Sequence, residues 1–248
     1  MIIVEWLVYI LVPMALSVVI TPLLKRIACH LGIYAKTNQR TIHSGKIARI
    51  GGVAIYVSFI ICMAVFMKAD ATMNGILIGG TIMFIGGLID DMVELPPYGK
   101  LLFQIVATLV VMWVGGISLD TIRLPFDITI NFSLVSIMVT LLWIIGITNA
   151  INLVDGLDGL AGGISAIILM VIACISVVEG RLDIQTMSLL LVGAILGFLF
   201  YNVHPASIFM GDCGALFLGF IISVISLLGF KGSTAVSYTH LTLPTKLE

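Results

Sequence analysis

Charged side chains are scarce in this sequence. Asp, Glu, Lys and Arg together make up 10% of the 248 residues, whereas hydrophobic residues make up 60%. Soluble globular proteins carry about 25% charged residues, so this composition excludes an ordinary soluble domain and indicates an integral membrane protein. The sequence also lacks a basic run of the kind that binds nucleic acid, and its formal net charge is −1. We therefore expect no nucleic-acid partner.

Three familiar motifs are missing as well. The four cysteines have no metal-like spacing, so we interpret them as free, buried thiols. The N-terminal apolar stretch has no small-residue cleavage pattern, which favours a retained first membrane span over a cleaved signal peptide. No glycine loop ends in Gly-Lys-Ser or Gly-Lys-Thr, which excludes an ATPase of the P-loop kind.

Long apolar segments are what the sequence does contain. Since a membrane helix needs about 20 residues and isolated strands cannot satisfy their backbone in lipid, these segments predict an all-α, polytopic membrane protein with about eight transmembrane helices. The third and seventh segments are short, so flanking residues must complete them. The segments are approximately Glu5–Leu24, Ile47–Met67, Ile76–Ile89, Leu101–Ile117, Leu134–Ile151, Leu160–Val178, Thr186–Tyr201 and Cys213–Phe230.

The C-terminal residues differ in composition from the predicted membrane domain. Residues 1–233 form that domain, whereas residues 234–248 are Thr-rich and lack helical periodicity. We interpret 234–248 as a non-native tail and expect the natural chain to continue where this one stops.

Basic residues predict the orientation of the chain in the membrane. The loop after the first segment is rich in them and is therefore expected to be cytoplasmic. Alternation of the spans then puts three acidic clusters on the same cytoplasmic side, and it puts the loop around Arg123 and Phe126 outside as a turn or a short ribbon. The basic residues of the first loop are Lys25, Arg26, Lys36, Arg40, Lys46 and Arg49.

The first acidic cluster closes the third segment. Asp90 and Asp91 are adjacent and point about 100° apart on a helix, so one can bind a cation while the other faces a substrate. Lys100 follows at the start of the next segment, where it can neutralise phosphate. Pro96-Pro97 ends the helix and fixes the turn before that segment. The alternative is a solvated acidic helix end, although its sign is unfavourable at a helix C-terminus.

The second cluster is the stretch NAINLVDGLDGLAG, residues 149–162. Asp155 and Asp158 are three residues apart and share one face if a helix begins there. Asn149 and Asn152 add neutral donors and acceptors. The alternative is a polar loop with N-capping aspartates.

The third cluster precedes the eighth segment. Asp212 can serve a metal or cap the following helix. Asn202 and Phe209 supply a hydrogen-bonding group and an aromatic face within ten residues of it. We interpret His204 as a surface histidine rather than a catalytic one.

Carboxylates gathered with Lys and Asn at one membrane face are typical of a magnesium-dependent phosphoryl-transfer site. Mg²⁺ is usually held by one or two carboxylates together with substrate phosphates and waters. It neutralises a diphosphate and stabilises charge on the leaving group.

The strings GGLIDDMVELPPYGK, WIIGITNAINLVDGLDGLAGG and FYNVHPASIFMGDCGALFLG together resemble the polyprenyl-phosphate N-acetylhexosamine-1-phosphate transferases, of the glycosyltransferase 4 type. The similarity is greatest to the members that start wall teichoic acid linkage units. It covers about Trp6 to Gly232.

The resemblance implies site residues. It implies catalytic roles for Asp90, Asp91, Asp155 and Asp158, and a magnesium ligand in Asp212. It implies substrate-binding roles for Lys46, Arg49, Lys100 and Asn152, and contacts to the uracil ring for Asn202 and Phe209.

The resemblance also implies a reaction and its partners. An undecaprenyl phosphate in the bilayer attacks the β-phosphate of UDP-GlcNAc, with Mg²⁺, or alternatively Mn²⁺, as cofactor. The site lies on the cytoplasmic side of a bacterial plasma membrane, and a homodimer is left open. Alternatives are UDP-GalNAc, UDP-MurNAc-pentapeptide, an ion-coupled transporter, or a fragment without function.

This chain departs from the family pattern in three places. Ala48 stands where the family usually has Pro, and Cys213 stands where it has Thr or Ser. The family has about ten or eleven spans, so we expect the eight here to need the remaining ones for activity.

Overall fold

Apolar helices account for most of the described residues. The computed structural model describes residues 2–31, 48–124, 128–131 and 135–239. Seven of the helices are long and apolar enough to cross a membrane, and α2 is shorter. The prediction of an all-α protein with about eight transmembrane helices is therefore confirmed. In chain order the elements are α1 Ile2–Leu31, α2 Gly52–Phe66, α3 Ala71–Val93, α4 Pro97–Gly115, β1 Thr121–Leu124, β2 Ile128–Asn131, α5 Ser136–Val154, α6 Leu160–Val178, α7 Leu182–Asn202 and α8 Gly211–Thr239.

The predicted extent of the second span is wrong. It was expected to begin at Ile47, but α2 begins at Gly52 and has 15 residues. The residues before it are extended, because Ala48 forms a parallel bridge with Ile208. The third and seventh spans are instead completed by flanking residues, as expected, to 23 and 21 residues.

Helix α8 extends beyond the predicted eighth span, which was expected to end at about Phe230. Helix α8 continues to Thr239, since no proline or glycine interrupts residues 233–239. The interpretation of 234–248 as a non-native tail stays a prediction, and residues 240–248 lie outside the described part of the chain. The same is true of Lys46.

The core lies around α7 and α8, whose apolar windows are the most buried of the candidate spans. Helix α7 packs against α1 and α6, and α8 packs against α3 and α5. Cys62 and Cys213 are buried free thiols, as expected, whereas Cys174 is free but exposed. Small residues allow the closest approach: a Cβ on Gly193 or Gly197 would collide with carbonyl oxygens of α1, as in other small-residue membrane helix pairs.

A proline in α1 leaves a carbonyl that α7 satisfies. Pro22 has no N–H, so the carbonyl of Val18 loses its usual helical donor. The Tyr201 hydroxyl of α7 donates to that oxygen at 3.1 Å. Because lipid offers no replacement donor, this bond couples α1 to α7.

The described part of the loop between α4 and α5 contains a short ribbon, as predicted, at the end of the bundle opposite the acidic clusters, whereas Phe126 lies outside the described residues. β1 and β2 pair antiparallel, with Thr121 opposite Asn131. Asp120 accepts hydrogen bonds from Ser118 at 2.9 Å and from Ser136 at 2.6 Å. These bonds anchor the ribbon to the first residue of α5.

Replacing Tyr201 with Phe tests the coupling of α1 and α7. The substitution removes only the hydroxyl and leaves the Val18 carbonyl unpaired, so we expect the free energy of unfolding in detergent micelles to fall by about 1–2 kcal/mol. Tyr9→Phe is the matched control, because the Tyr9 hydroxyl has no hydrogen-bond partner among the described residues. Equal destabilisation by the two substitutions would contradict the role of the Tyr201–Val18 bond.

Candidate active site

Two extended segments place Arg49 beside the start of α8. The Phe209 N–H donates to the Ala48 carbonyl at 2.8 Å, and the Gly51 N–H donates to the Phe209 carbonyl at 2.9 Å. Phe209 thus contributes its backbone to this ribbon, and its side chain is half-buried. Its predicted contact with uracil stays a prediction.

Asp91 caps α8 from a different helix. Its Oδ1 accepts from the Asp212 N–H and its Oδ2 from the Cys213 N–H, both at 2.9 Å. Arg49 Nε lies 3.3 Å from the same carboxylate, whose side chain is 0% exposed. The first N–H groups of a helix have no partner within it, and Asp91 satisfies two of them. The alternative that Asp212 caps its own helix is therefore wrong.

Asp212 is the point where three polar side chains converge. Its Oδ1 accepts from Arg49 Nη2 at 3.3 Å and from Asn152 Nδ2 at 3.1 Å. Its Oδ2 accepts from Lys100 Nζ at 3.0 Å. The donors come from the segment before α2, from α5 and from α4, so one carboxylate joins three parts of the fold to α8. The Asp212 side chain is 14% exposed, which leaves it accessible.

Asp90 organises the turn between α3 and α4. Its Oδ1 accepts from the Leu95 N–H at 2.7 Å, and its Oδ2 forms an ion pair with Lys100 Nζ at 2.5 Å. Glu94, at φ 55°, ends α3 in the left-handed region. The Asp90 side chain is only 4% exposed. Lys100 is thus shared by two carboxylates, one on α3 and one on α8.

Asp155 ends α5 close to the charges of this group. It is half-buried, and its side chain has no hydrogen-bond partner among the residues described. Burial, together with the negative charges of Asp212 and Asp91, raises the pKa of Asp155 to about 7 against the opposing effect of Arg49. Its charge therefore changes near neutral pH.

Asp158 has a different set of partners. Its Oδ2 accepts from the Ala206 N–H at 3.2 Å and from His204 Nδ1 at 3.0 Å. His204 is 73% exposed, as expected for a surface histidine. The N-cap position of α6 is Gly159, which makes no side-chain capping bond. The alternative that the aspartates of this stretch cap α6 is thus wrong, and Asp158 fastens its loop to the α7–α8 connection.

Asn202 fastens the same two loops. Its Oδ1 accepts from the Gly159 N–H at 3.0 Å, and its Nδ2 donates to the Ile208 carbonyl at 2.9 Å. The residue is 4% exposed. Its amide is engaged at both ends within the protein, and its predicted contact with uracil stays a prediction.

Most of the predicted site residues therefore gather at one end of the bundle. One polar partner was not predicted: Gln104 in α4 hydrogen-bonds Asn149 in α5. A glutamine one turn after a site lysine, inside an apolar span, was the available signal. The predicted residues that the structure joins directly are Arg49, Asp90, Asp91, Lys100, Asn152 and Asp212.

Among the described residues, no group of three His, Cys, Asp or Glu side chains is arranged to hold a metal ion. The accessible Asp212 carboxylate supplies oxygen donors of the kind that Mg²⁺ prefers. Mg²⁺ sites commonly use one or two carboxylates and complete the shell with phosphate and water. The donor set thus fits a cation that arrives with a phosphorylated ligand.

The cap formed by Asp91 gives a stability prediction. In Asp91→Asn one oxygen becomes an NH₂ group that faces a backbone N–H, so we expect the free energy of unfolding to fall by about 1–3 kcal/mol. Asp70→Asn is the matched control: Asp70 caps α3 with one bond, from the Met73 N–H at 2.7 Å, which asparagine can also accept. Thermal unfolding in detergent compares them, and equal shifts would contradict the two-bond cap.

The pKa of Asp155 gives a pH prediction. The pKa of Asp155 in the folded protein is about 7, which exceeds the ordinary value of 3.8. The protonated carboxyl therefore stabilises the fold fully below about pH 4. That contribution is lost as the pH rises through about 7. We therefore expect the melting temperature of Asp155→Asn, minus that of the wild type, to increase between pH 5 and pH 8. A difference that stays constant or decreases would contradict the raised pKa.

The sequence of this chain is similar to a known family and to known proteins. Residues 73–230 match the model of glycosyl transferase family 4. A probable undecaprenyl-phosphate N-acetylglucosaminyl 1-phosphate transferase of Bacillus subtilis (strain 168) is 39% identical over 222 residues, which are 88% of this chain and 61% of that protein. A phospho-N-acetylmuramoyl-pentapeptide-transferase of Staphylococcus carnosus (strain TM300) is 31% identical over 235 residues, which are 88% of this chain and 73% of that protein.

The chain thus spans about three-fifths of the length of the Bacillus subtilis relative. The family model, however, covers more than half of the chain and reaches from α3 into α8, so that it includes Asp90, Asp155 and Asp212. This protein belongs to glycosyl transferase family 4.

Proposed function

We propose that this protein transfers GlcNAc-1-phosphate from UDP-GlcNAc to undecaprenyl phosphate. An oxygen of the lipid phosphate forms a bond to the β-phosphorus of UDP-GlcNAc, and the bond from that phosphorus to the UMP oxygen breaks. The products are undecaprenyl-diphospho-GlcNAc and UMP. The observation that carries the proposal is the convergence of Arg49, Lys100 and Asn152 on Asp212. Family membership and the name of the Bacillus subtilis relative support it.

Arg49 and Lys100 are the proposed phosphate-binding cations. A guanidinium presents a planar fork to phosphate oxygens, and an ammonium presents a compact charge. Both side chains are already held in place by carboxylates, so little side-chain freedom is lost when phosphate binds. Lys46 is a further proposed phosphate ligand, and Asn202 and Phe209 remain the proposed uracil contacts.

Asp212 is the proposed ligand for Mg²⁺, or alternatively Mn²⁺. With the cation held by Asp212, the site would gain positive charge to neutralise the diphosphate and to stabilise the charge on departing UMP. Asn152 and Lys100 orient the Asp212 carboxylate, each through one hydrogen bond. The Asp212 side chain stays partly exposed although it contacts Arg49, as the ligand role requires.

Asp155 is the proposed proton-exchanging carboxyl. Asp90, Asp91 and Asp158 were also predicted to be catalytic, but each accepts hydrogen bonds from backbone N–H groups of the protein. Asp155 makes no such bond among the described residues and is half-buried. It is therefore the carboxyl of the four that is best able to meet a substrate.

The proposed setting is the plasma membrane of a bacterium, with the site on the cytoplasmic side. The excess of Lys and Arg around the first loop supports this orientation. The lipid tail would lie between helices with its phosphate at Arg49 and Lys100. The product would be the first lipid intermediate of a teichoic acid or other surface polysaccharide.

The identity of the sugar donor is the most specific part of the proposal. Relatives named as phospho-N-acetylmuramoyl-pentapeptide-transferases keep UDP-MurNAc-pentapeptide as an alternative, and UDP-GalNAc is another. An ion-coupled transporter is not favoured, because the polar cluster joins helix ends rather than midpoints.

Asp212→Asn tests the proposed reaction. We expect UMP release from UDP-GlcNAc, with undecaprenyl phosphate and Mg²⁺ in detergent, to fall at least about 100-fold, because the proposed anionic ligand for Mg²⁺ is lost. Asp183→Asn is the matched control. Asp183 pairs with Arg181 at 2.9 Å at the opposite end of the bundle, so its replacement should leave the rate unchanged.

The assay should use this chain and a chimaera completed with the matching remainder of the Bacillus subtilis relative. An Asp212→Asn variant with the wild-type rate and the same Mg²⁺ requirement would contradict the ligand role. UMP release with another UDP-sugar but not with UDP-GlcNAc would replace the donor and keep the reaction class.

A further inference from the structure

Gln104 of α4 and Asn149 of α5 form a reciprocal amide pair. Gln104 Nε2 donates to Asn149 Oδ1 at 3.1 Å, and Asn149 Nδ2 donates to Gln104 Oε1 at 3.0 Å. Asn149 Nδ2 also donates to the Ile145 carbonyl at 2.8 Å. This third bond fixes which end of the Asn149 amide faces the carbonyl, and the orientation of Gln104 follows from it.

The pair joins two helices that otherwise touch little. Helix α4 packs mainly on α3, and α5 packs mainly on α8, so the contact between α4 and α5 is small. Gln104 is 2% exposed, and both residues lie within candidate membrane spans. Because lipid offers no competing donors or acceptors, an amide there is satisfied by a neighbouring helix.

The spacing of the pair connects it to the site. Lys100 lies four residues before Gln104, and Asn152 lies three residues after Asn149, so each site residue shares a helix face with one amide. Lys100 and Asn152 both donate to Asp212, one to each carboxylate oxygen. The amide pair therefore sits one turn deeper than these two donors and sets the separation of the helices that carry them.

We propose that Gln104 and Asn149 are positioning residues that hold Lys100 and Asn152 on Asp212. The proposal rests on the proposed function for its effect on turnover. If the pair is lost, α4 and α5 can separate, and the Asp212 carboxylate loses its two aligning donors together.

Exchange of the two amides provides the sharpest test. Gln104→Asn shortens the pair and Asn149→Gln lengthens it, whereas the double exchange keeps the combined side-chain length. We expect kcat for UMP release to fall about 10-fold or more in each single variant, the size typical of losing a residue that orients a metal ligand. The double variant should return to within about threefold of the wild type, with KM for UDP-GlcNAc changed less than kcat throughout.

Gln185→Leu is a control for loss of a buried amide, since Gln185 is a buried residue of α7 outside the site. It should leave kcat unchanged, while Gln104→Leu should lower it. Single exchanges with wild-type kcat, or a double exchange no better than the worse single one, would overturn the positioning role.

A second measurement separates this proposal from the proposed function. Melting temperatures of Gln104→Leu, Asn152→Leu and the double variant are compared in detergent. Although the two side chains lie on different helices, we expect their losses to be non-additive, because the amide pair is what brings Asn152 to Asp212. Additive losses would overturn the positioning role, even if the wild type releases no UMP. Non-additive losses without UMP release by the completed chimaera would retain the positioning role and reject the proposed function.

Discussion

A buried carboxylate is stable only where donors surround it, and the site depends on how Asp91 meets this requirement. Asp91 accepts from the first N–H groups of α8 and lies beside Arg49. Gly87, one turn earlier on α3, permits the approach, since a Cβ there would lie 2.6 Å from the Asp212 carbonyl oxygen. The cap fixes α8 against α3 and thereby directs the side chain of Asp212 towards its partners.

Two cations are shared among three carboxylates in this arrangement. Arg49 contacts Asp91 and Asp212, and Lys100 contacts Asp90 and Asp212. Each of these five side chains has at least two hydrogen-bond or ion-pair partners, so its position changes little when a charged ligand arrives. Such preorganisation favours stabilisation of developing charge, because little reorganisation is needed during the reaction.

Several polar side chains inside the spans join neighbouring helices. Tyr201 satisfies a carbonyl that Pro22 leaves unpaired, and Trp143 of α5 donates to Ser226 of α8 at 3.1 Å. The amide pair of Gln104 and Asn149 belongs to the same class. Each bond is modest in energy, but each also selects one register between two apolar surfaces that could otherwise slide.

Hydropathy and spacing by themselves determined the helices of this protein and the gathering of its acidic clusters at one end. Apolar length sets a membrane span, and alternation of spans carries Asp90, Asp155 and Asp212 to the same face. The three motif strings likewise predicted the family. These are local properties of the chain, so no knowledge of packing was required.

Only the tertiary structure decided which polar groups form hydrogen bonds or ion pairs with each other. It assigned the cap of α8 to Asp91 rather than Asp212, and it paired Asp158 with His204. It also placed the start of α2 at Gly52 rather than at the predicted Ile47, since the preceding residues pair with the segment before α8. These partners are distant in sequence, so helix packing selects them rather than any local pattern. The position of a charge along a membrane helix follows from the sequence, but its partner follows from the helices packed around it.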